Sequence, residues 1–208
     1  SLFLPLLLPA MASCTRHELR AEPLGQAISL PQDHAPHPHA QTEWWHVHAD
    51  LVDVQTGEPA YVFAAFLVER TDLDRVGPIP VSLFVNPFHV AFVKIQTRDH
   101  TWVADRENFP DLIAAHFVGE DLDLRHGDWR IATGGDSLTL EVGAGRHKMS
   151  LRLDPTGEPV LPGDGGLVEL RPGDRHMWVQ QEGVAVEGRW QDGRETRWVT
   201  GTGFVKHQ

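Results

Sequence analysis

The stretch Thr42-Glu43-Trp44-Trp45-His46-Val47-His48, continuing as Ala49-Asp50-Leu51-Val52, decides how this chain is read. Two of the seven tryptophans stand side by side in it. If it is extended, side chains alternate between faces. Glu43, Trp45, Val47, Ala49 and Leu51 then share one face, and Trp44, His46, His48 and Asp50 the other. The first row is apolar except for Glu43. A carboxyl on a core-facing row beside an indole has two readings. It is a strand-end carboxylate taking backbone or Arg hydrogen bonds at a barrel mouth, or it is a desolvated acid with a raised pKa inside an apolar pocket.

Outward from this strand the pattern stays extended. Gln55-Thr56-Gly57-Glu58-Pro59 is a turn, and Ala60–Glu69 is apolar on both faces, so the pair reads as a β-hairpin. Arg70–Pro80 is a loop. Val81–Val85, Phe88–Gln96 and Thr101–Arg106 are strand candidates, and Phe109–Phe117 is a loop with a short helix. Leu122–Leu124, Trp129–Thr133, Ser137–Val142 and Lys148–Leu153 follow at regular spacing between Gly-rich turns. Asp154–Asp174 breaks the rhythm as a long loop, of the kind that often carries function. Met177–Gln181, Val184–Trp190 and Arg197–Val205 are the last strands. This meander predicts an all-β fold, an antiparallel lipocalin-like barrel or a strongly curved β-sandwich, over residues 42–208. Residues 15–41 form an irregular, Pro- and His-rich lead-in.

Composition agrees. The 208 residues are 41% hydrophobic, enough for one large core, and 19 glycines and 15 prolines suit short strands and tight turns. A net charge of −11 argues against nucleic acid as a partner. With Cys14 as the single cysteine, the chain forms no internal disulfide and no cysteine-based zinc site. Residues 1–14 open with an apolar run too short to span a bilayer, with small residues before Cys14. Three readings fit: a lipoprotein signal with Cys14 lipidated, a cleaved secretory signal, or a plain apolar tail. The first two place the protein in the cell envelope or outside the cell, and the first anchors it to a membrane by lipid.

The histidines raise a metal question. His37 with His39, and His46 with His48, each place two imidazoles on one side of an extended chain, about 7 Å apart. A single pair is half a site, so the expectation is no metal and no cofactor, with these four as the weak candidates. None of Ser29, Ser82, Ser137 and Ser150 lies in a Gly-x-Ser-x-Gly elbow, and no Gly-rich phosphate loop opens a helix. Asp105-Arg106-Glu107 is read as an ion pair closing a barrel end or as a gate.

Several motifs resemble the carotenoid 1,2-hydratase / AttH-like family, often labelled predicted secreted hydrolases. Asp33-His34, His37-Pro38 and Thr42-Glu43-Trp44-Trp45 resemble its opening. Ala91-Phe92-Val93, Asp105-Arg106-Glu107-Asn108 and Asp128-Trp129 continue the likeness. So do Pro159-Val160-Leu161-Pro162-Gly163-Asp164-Gly165-Gly166, then Trp178 and Val184-Ala185-Val186-Glu187-Gly188. The resemblance implies two lipocalin-like domains in tandem, of which this chain is similar to the first, with a second absent from this stretch. It also implies hydratase- or cyclase-like activity on polyenes and other lipophilic molecules. At Gly201-Thr202-Gly203-Phe204-Val205-Lys206 the chain departs from the family pattern, with Phe204 for a tryptophan and Lys206 for an acidic residue.

The leading expectation is an envelope or secreted domain that binds a hydrophobic small molecule, accessory to an export system of the ABC type or to lipid handling. Trp45, Phe63, Phe66, Phe92, Trp102 and Trp129 line its pocket, with Glu43 as the polar fixture. Trp44, His46 and Trp178 are further ligand-binding candidates. The competing expectation is a hydratase or isomerase of lipophilic alkenes. Glu43 is its acid, indole faces stabilise a carbocation, and His207 is a secondary catalytic candidate. A third is a structural domain that packs on a second domain.

Overall fold

The computed structural model describes residues 14–16, 28–38, 40–71, 73–76, 78–80, 87–107, 115–117 and 121–208. Its short elements are β1 (Cys14–Arg16), the 3-10 turn η1 (Gln32–His34), β4 (Leu73–Val76) and β5 (Ile79–Pro80). The barrel strands are β2 (Thr42–Asp53), β3 (Pro59–Glu69), β6 (Phe88–Thr97), β7 (Thr101–Glu107), β8 (Ala115–His116), β9 (Asp123–His126), β10 (Trp129–Gly134), β11 (Ser137–Ala144), β12 (His147–Pro155), β15 (Val179–Asp192) and β16 (Glu195–His207). A two-stranded ribbon, β13 (Leu167–Arg171) and β14 (Asp174–Met177), stands apart.

Eleven antiparallel strands run in the order β7-β6-β3-β2-β16-β15-β12-β11-β10-β9-β8, and the sheet curls until it nearly closes into a barrel. The all-β expectation holds. β11 lies against β6 and β7, bringing the two ends of the sheet together. Arg106 of β7 helps to close that seam. It pairs with Asp128, donates to the His126 carbonyl at 3.1 Å, and lies over the Trp129 ring at 4.4 Å. Of the two readings of Asp105-Arg106-Glu107, the ion pair fits: Arg106 supplies it, with Asp128 across the seam as the partner.

The period-two rows of β2 and β3 are realised residue by residue. Glu43, Trp45, Val47, Ala49 and Leu51 are buried, as are Val62, Ala64, Phe66 and Val68 across the hairpin. Ile131, Leu140, Met149, Leu153 and Val186 meet them from the opposite wall, and the interior is a packed apolar core. Glycines in β16 let it pass close to β2. A Cβ on Gly203 would run into the His48 carbonyl, so the tight curvature there excludes a side chain.

Two expectations change. Asp154–Asp174 is not a structureless loop, because it contains β13 and the start of β14, and a bridge between Val160 and Gln180 ties it to β15. The segments Met177–Gln181 and Val184–Trp190 are largely one strand, β15, whose register shifts between Gln181 and Val184. The expected strand Val81–Val85 lies outside the described residues, as do residues 109–114 of the expected loop and short helix over Phe109–Phe117, whose described end is strand β8 instead.

Candidate functional site: a carboxylate between two imidazoles

Glu43 is the second residue of β2 and is 1% exposed. β16 runs antiparallel beside it and places His207 opposite Trp45, on the same inward row, also 1% exposed. The lead-in supplies the third group. Pro36 and Pro38 restrict the residues before them, Ala35 and His37, to extended backbone; Ala35 lies at φ −69°, ψ 160°. η1 is pinned over the barrel end by the Trp45 indole N–H, which donates to the His34 carbonyl at 3.0 Å. His37 is thereby carried back onto Glu43.

The contacts are dense. The His37 backbone N–H approaches both Glu43 oxygens, at 3.1 and 2.9 Å. His37 Nδ1 is 2.6 Å from Glu43 Oε1, and His207 Nε2 is 2.9 Å from the same oxygen. The far nitrogens both meet Asp33: His37 Nε2 its carboxylate at 3.3 Å, His207 Nδ1 its carbonyl at 3.0 Å. The Trp45 indole stacks on the His207 ring at 4.4 Å.

Burial pushes the Glu43 carboxyl up, but the bonds to His207 and His37 and their charge outweigh it, leaving Glu43 below its ordinary value. His37 is raised, first by its bond to Glu43. His207 is lowered by burial, against the pull of Glu43. Of the two readings of Glu43, the geometry fits the strand-end carboxylate and not the acid with a raised pKa: it accepts from the His37 backbone N–H, with two imidazoles as its other partners.

The other predicted residues divide between faces. Trp45, Phe66 and Trp129 are core. Phe63, Phe92 and His46 sit on the outward face of the same strands, half-buried, with His46 and Phe63 edge to face at 6.0 Å. Trp44 is 43% exposed and stacks on His46. Trp102 packs at the other end of the barrel, its ring 3.8 Å from that of His147. Trp178 lies under the Lys206 ammonium at 3.7 Å. The set does not line one pocket. Phe63 and Phe66 are three positions apart in a strand, so alternation alone separates them.

Sequence reasoning missed two outward neighbours of His48 as site residues. Phe204 stacks on His48 at 4.3 Å, and Tyr61 Oη is 2.7 Å from His48 Nδ1. Together with His46, Phe63 and Phe92 they form one aromatic and imidazole surface over β16, β2, β3 and β6. Asp33 was also missed as the group that orients both histidines. His39 lies outside the described residues, and His37 finds its partners in Glu43 and His207. His46 and His48 face outward among aromatics. The side chain of Cys14, the proposed lipidation point, is outside what the structure describes.

Fold and site together define a lipocalin-like β-barrel domain with a histidine-clasped carboxylate at one end. The AttH-like family model matches residues 21–208, and the chain belongs to that family. Two solved structures share the fold. One, an AttH protein from Nitrosomonas europaea, superposes with a TM-score of 0.72 at 21% identity, over 88% of this chain and 56% of that one. The other, kievitone hydratase from Nectria haematococca, gives 0.58 at 12% identity, over 93% and 54%. This chain thus spans about half the length of either. No curated protein matches it significantly.

Proposed function

We propose that this domain binds a lipophilic small molecule on its aromatic outer wall. The carrying observation is the contrast in outward side chains. On β2, β3, β6 and β16 these include His46, His48, Tyr61, Phe63, Phe92 and Phe204, all half-buried. Ring faces of this kind accept flat apolar guests, and the imidazoles and Tyr61 supply a few polar fixtures. Such a wall is larger and more continuous than scattered surface hydrophobics.

Hydratase chemistry is the weaker fit to the site. Protonating an alkene carbon calls for a carboxylic acid, whereas Glu43 is held ionised by two imidazoles. The kinship in fold with a hydratase keeps that chemistry open to test: Glu43→Gln should leave ligand binding intact, and turnover of an alkene by the native protein but not by this variant would favour the enzyme. A second reading of the same wall has support from chain length. About half of each solved relative lies outside the matched region, and in this reading a second domain covers the wall. The membrane side of the proposal, an envelope location through a lipid on Cys14, is checked by mass spectrometry of the protein from membranes.

The ligand reading is tested by titrating the protein with retinol and following tryptophan fluorescence. Trp44, stacked on His46, reports on the wall. Saturable quenching at micromolar retinol supports the proposal. No quenching, together with tight binding of a separately produced second domain, supports a docking surface instead.

A further inference from the structure

The histidine-clasped carboxylate has a feature that ligand binding does not use. All four imidazole nitrogens face oxygen atoms. His37 meets Glu43 Oε1 and the Asp33 carboxylate, and His207 meets Glu43 Oε1 and the Asp33 carbonyl. A neutral imidazole carries one N–H and one lone pair. Each neutral ring would therefore turn a lone pair toward an oxygen in either tautomer. Satisfying every contact takes two added positive charges between these groups.

We infer that His37 Nδ1, His207 Nε2 and Glu43 Oε1 form a binding site for a divalent transition metal of the zinc class. One dication in place of two protons satisfies all four nitrogens. Both rings are then neutral, coordinate through the nitrogen facing Glu43, and donate their other N–H to Asp33. That outer arrangement, one imidazole N–H to a carboxylate and one to a backbone carbonyl, is how metal-ligating histidines are oriented. The charges balance as well, a dication against Glu43 and Asp33.

The geometry is close to what ligation needs. The three donor atoms lie within 4.8 Å of one another. Tetrahedral ligands at zinc bond lengths stand roughly 3.3–3.5 Å apart, so the 2.9 Å contact to Glu43 must open by about half an ångström and the 2.6 Å contact by about 0.8 Å. His37 can give that space, being 27% exposed and carried on the irregular lead-in. Glu43 and His207 are fixed by strand pairing. The His37 backbone N–H lies nearer Glu43 Oε2, at 2.9 Å, than Oε1, at 3.1 Å, and keeping the Oε2 bond alone would free Oε1 for the metal. Three protein ligands leave a fourth position for water or an oxygen or nitrogen ligand, the pattern of an open zinc site. The inference is independent of the aromatic wall, which lies on the other face of β2.

The test is a titration of the full chain with Co²⁺ alone, read by visible absorption and by metal bound per chain after gel filtration. One Co²⁺ per chain, with ligand-field bands of a four- or five-coordinate ion, is expected. His37→Ala should weaken binding by roughly 100-fold and abolish the bands. His207→Ala should do the same where it folds, and His37→Ala decides alone where it does not. The double variant His46→Ala/His48→Ala should bind like the native chain. Absence of stoichiometric binding by the native chain overturns the site. So does binding that survives His37→Ala, or that is lost with His46 and His48.

Discussion

The two walls of this barrel share an interior and differ outside. On β11, β12 and β15 the outward positions are Thr139, Glu141, Lys148, Ser150, Arg152, Glu187 and Arg189, all exposed. On β2, β3, β6 and β16 the outward positions include His46, His48, Tyr61, Phe63, Phe92 and Phe204, half-buried and in ring contact with one another, alongside Asp50, Lys94, Thr200, Thr202 and Lys206. The inward rows of both walls are equally apolar and equally buried. Folding a barrel demands only the inward rows. The charged wall shows an outward row of exposed charged and hydroxyl side chains. The aromatic wall departs from that pattern over four adjacent strands, and the proposal of a lipophilic ligand rests on that departure.

The comparison is broken most severely from inside. Phe66→Ala empties a fully buried site and should cost about 3–5 kcal/mol in chemical denaturation. Phe63→Ala, three residues away on the outward row, should cost about 1 kcal/mol and instead lower ligand uptake. Similar losses from the two would mean that the outward row is core. Glu43→Gln comes next. It removes a buried carboxylate that bonds two imidazoles, so a loss of about 1.5–3 kcal/mol is expected.

Acid sharpens the contrast between walls. Burial lowers His46, on the aromatic wall, to about 4, with His48 and Lys206 adding to it. Burial likewise lowers His89, with Arg70 and His126 adding, to about 4. Unfolded chain binds these protons from about pH 6.5 downward, whereas the folded rings stay neutral until about pH 4. Stability is therefore present above pH 6.5 and is lost as pH falls toward 4. The melting temperature should drop between pH 7 and pH 4.5, and by less in His89→Gln; an equal drop in that variant would remove His89 from the account. The smallest effect belongs to the charged wall. Arg152→Ala breaks an exposed pair with Asp154 and should shift stability by less than about 0.5 kcal/mol.

Much of the fold was legible in local sequence. The β2–β3 hairpin announced itself by alternation and by its Gly57 turn, and the buried row of β2 was read without error. β15 was split at Glu182-Gly183 because a bulge in a long strand looks, in sequence, like a turn. The β13–β14 ribbon was hidden because its glycines at 163, 165, 166 and 173, all at positive φ, carry the same signal as a loop. Glu43 stood out as an acid in an apolar row. His207 and His37 were each named as weak candidates, but their meeting at Glu43 was not legible, since His207 reaches it only through pairing of β2 with β16 at the far end of the chain. The His37-x-His39 spacing gave no pointer to Glu43 or His207 for the same reason: nothing local indicates which strand end the lead-in covers.

The most direct test of the aromatic wall is equilibrium dialysis of retinol against three proteins: the native chain, Phe63→Ser/Phe92→Ser on the aromatic wall, and Thr139→Ala/Arg152→Ala on the charged wall. Micromolar binding by the native chain and by the charged-wall variant, with binding lost in Phe63→Ser/Phe92→Ser while its circular dichroism stays native, is the predicted result. Equal binding by all three folded proteins, or none by the native chain, would contradict it.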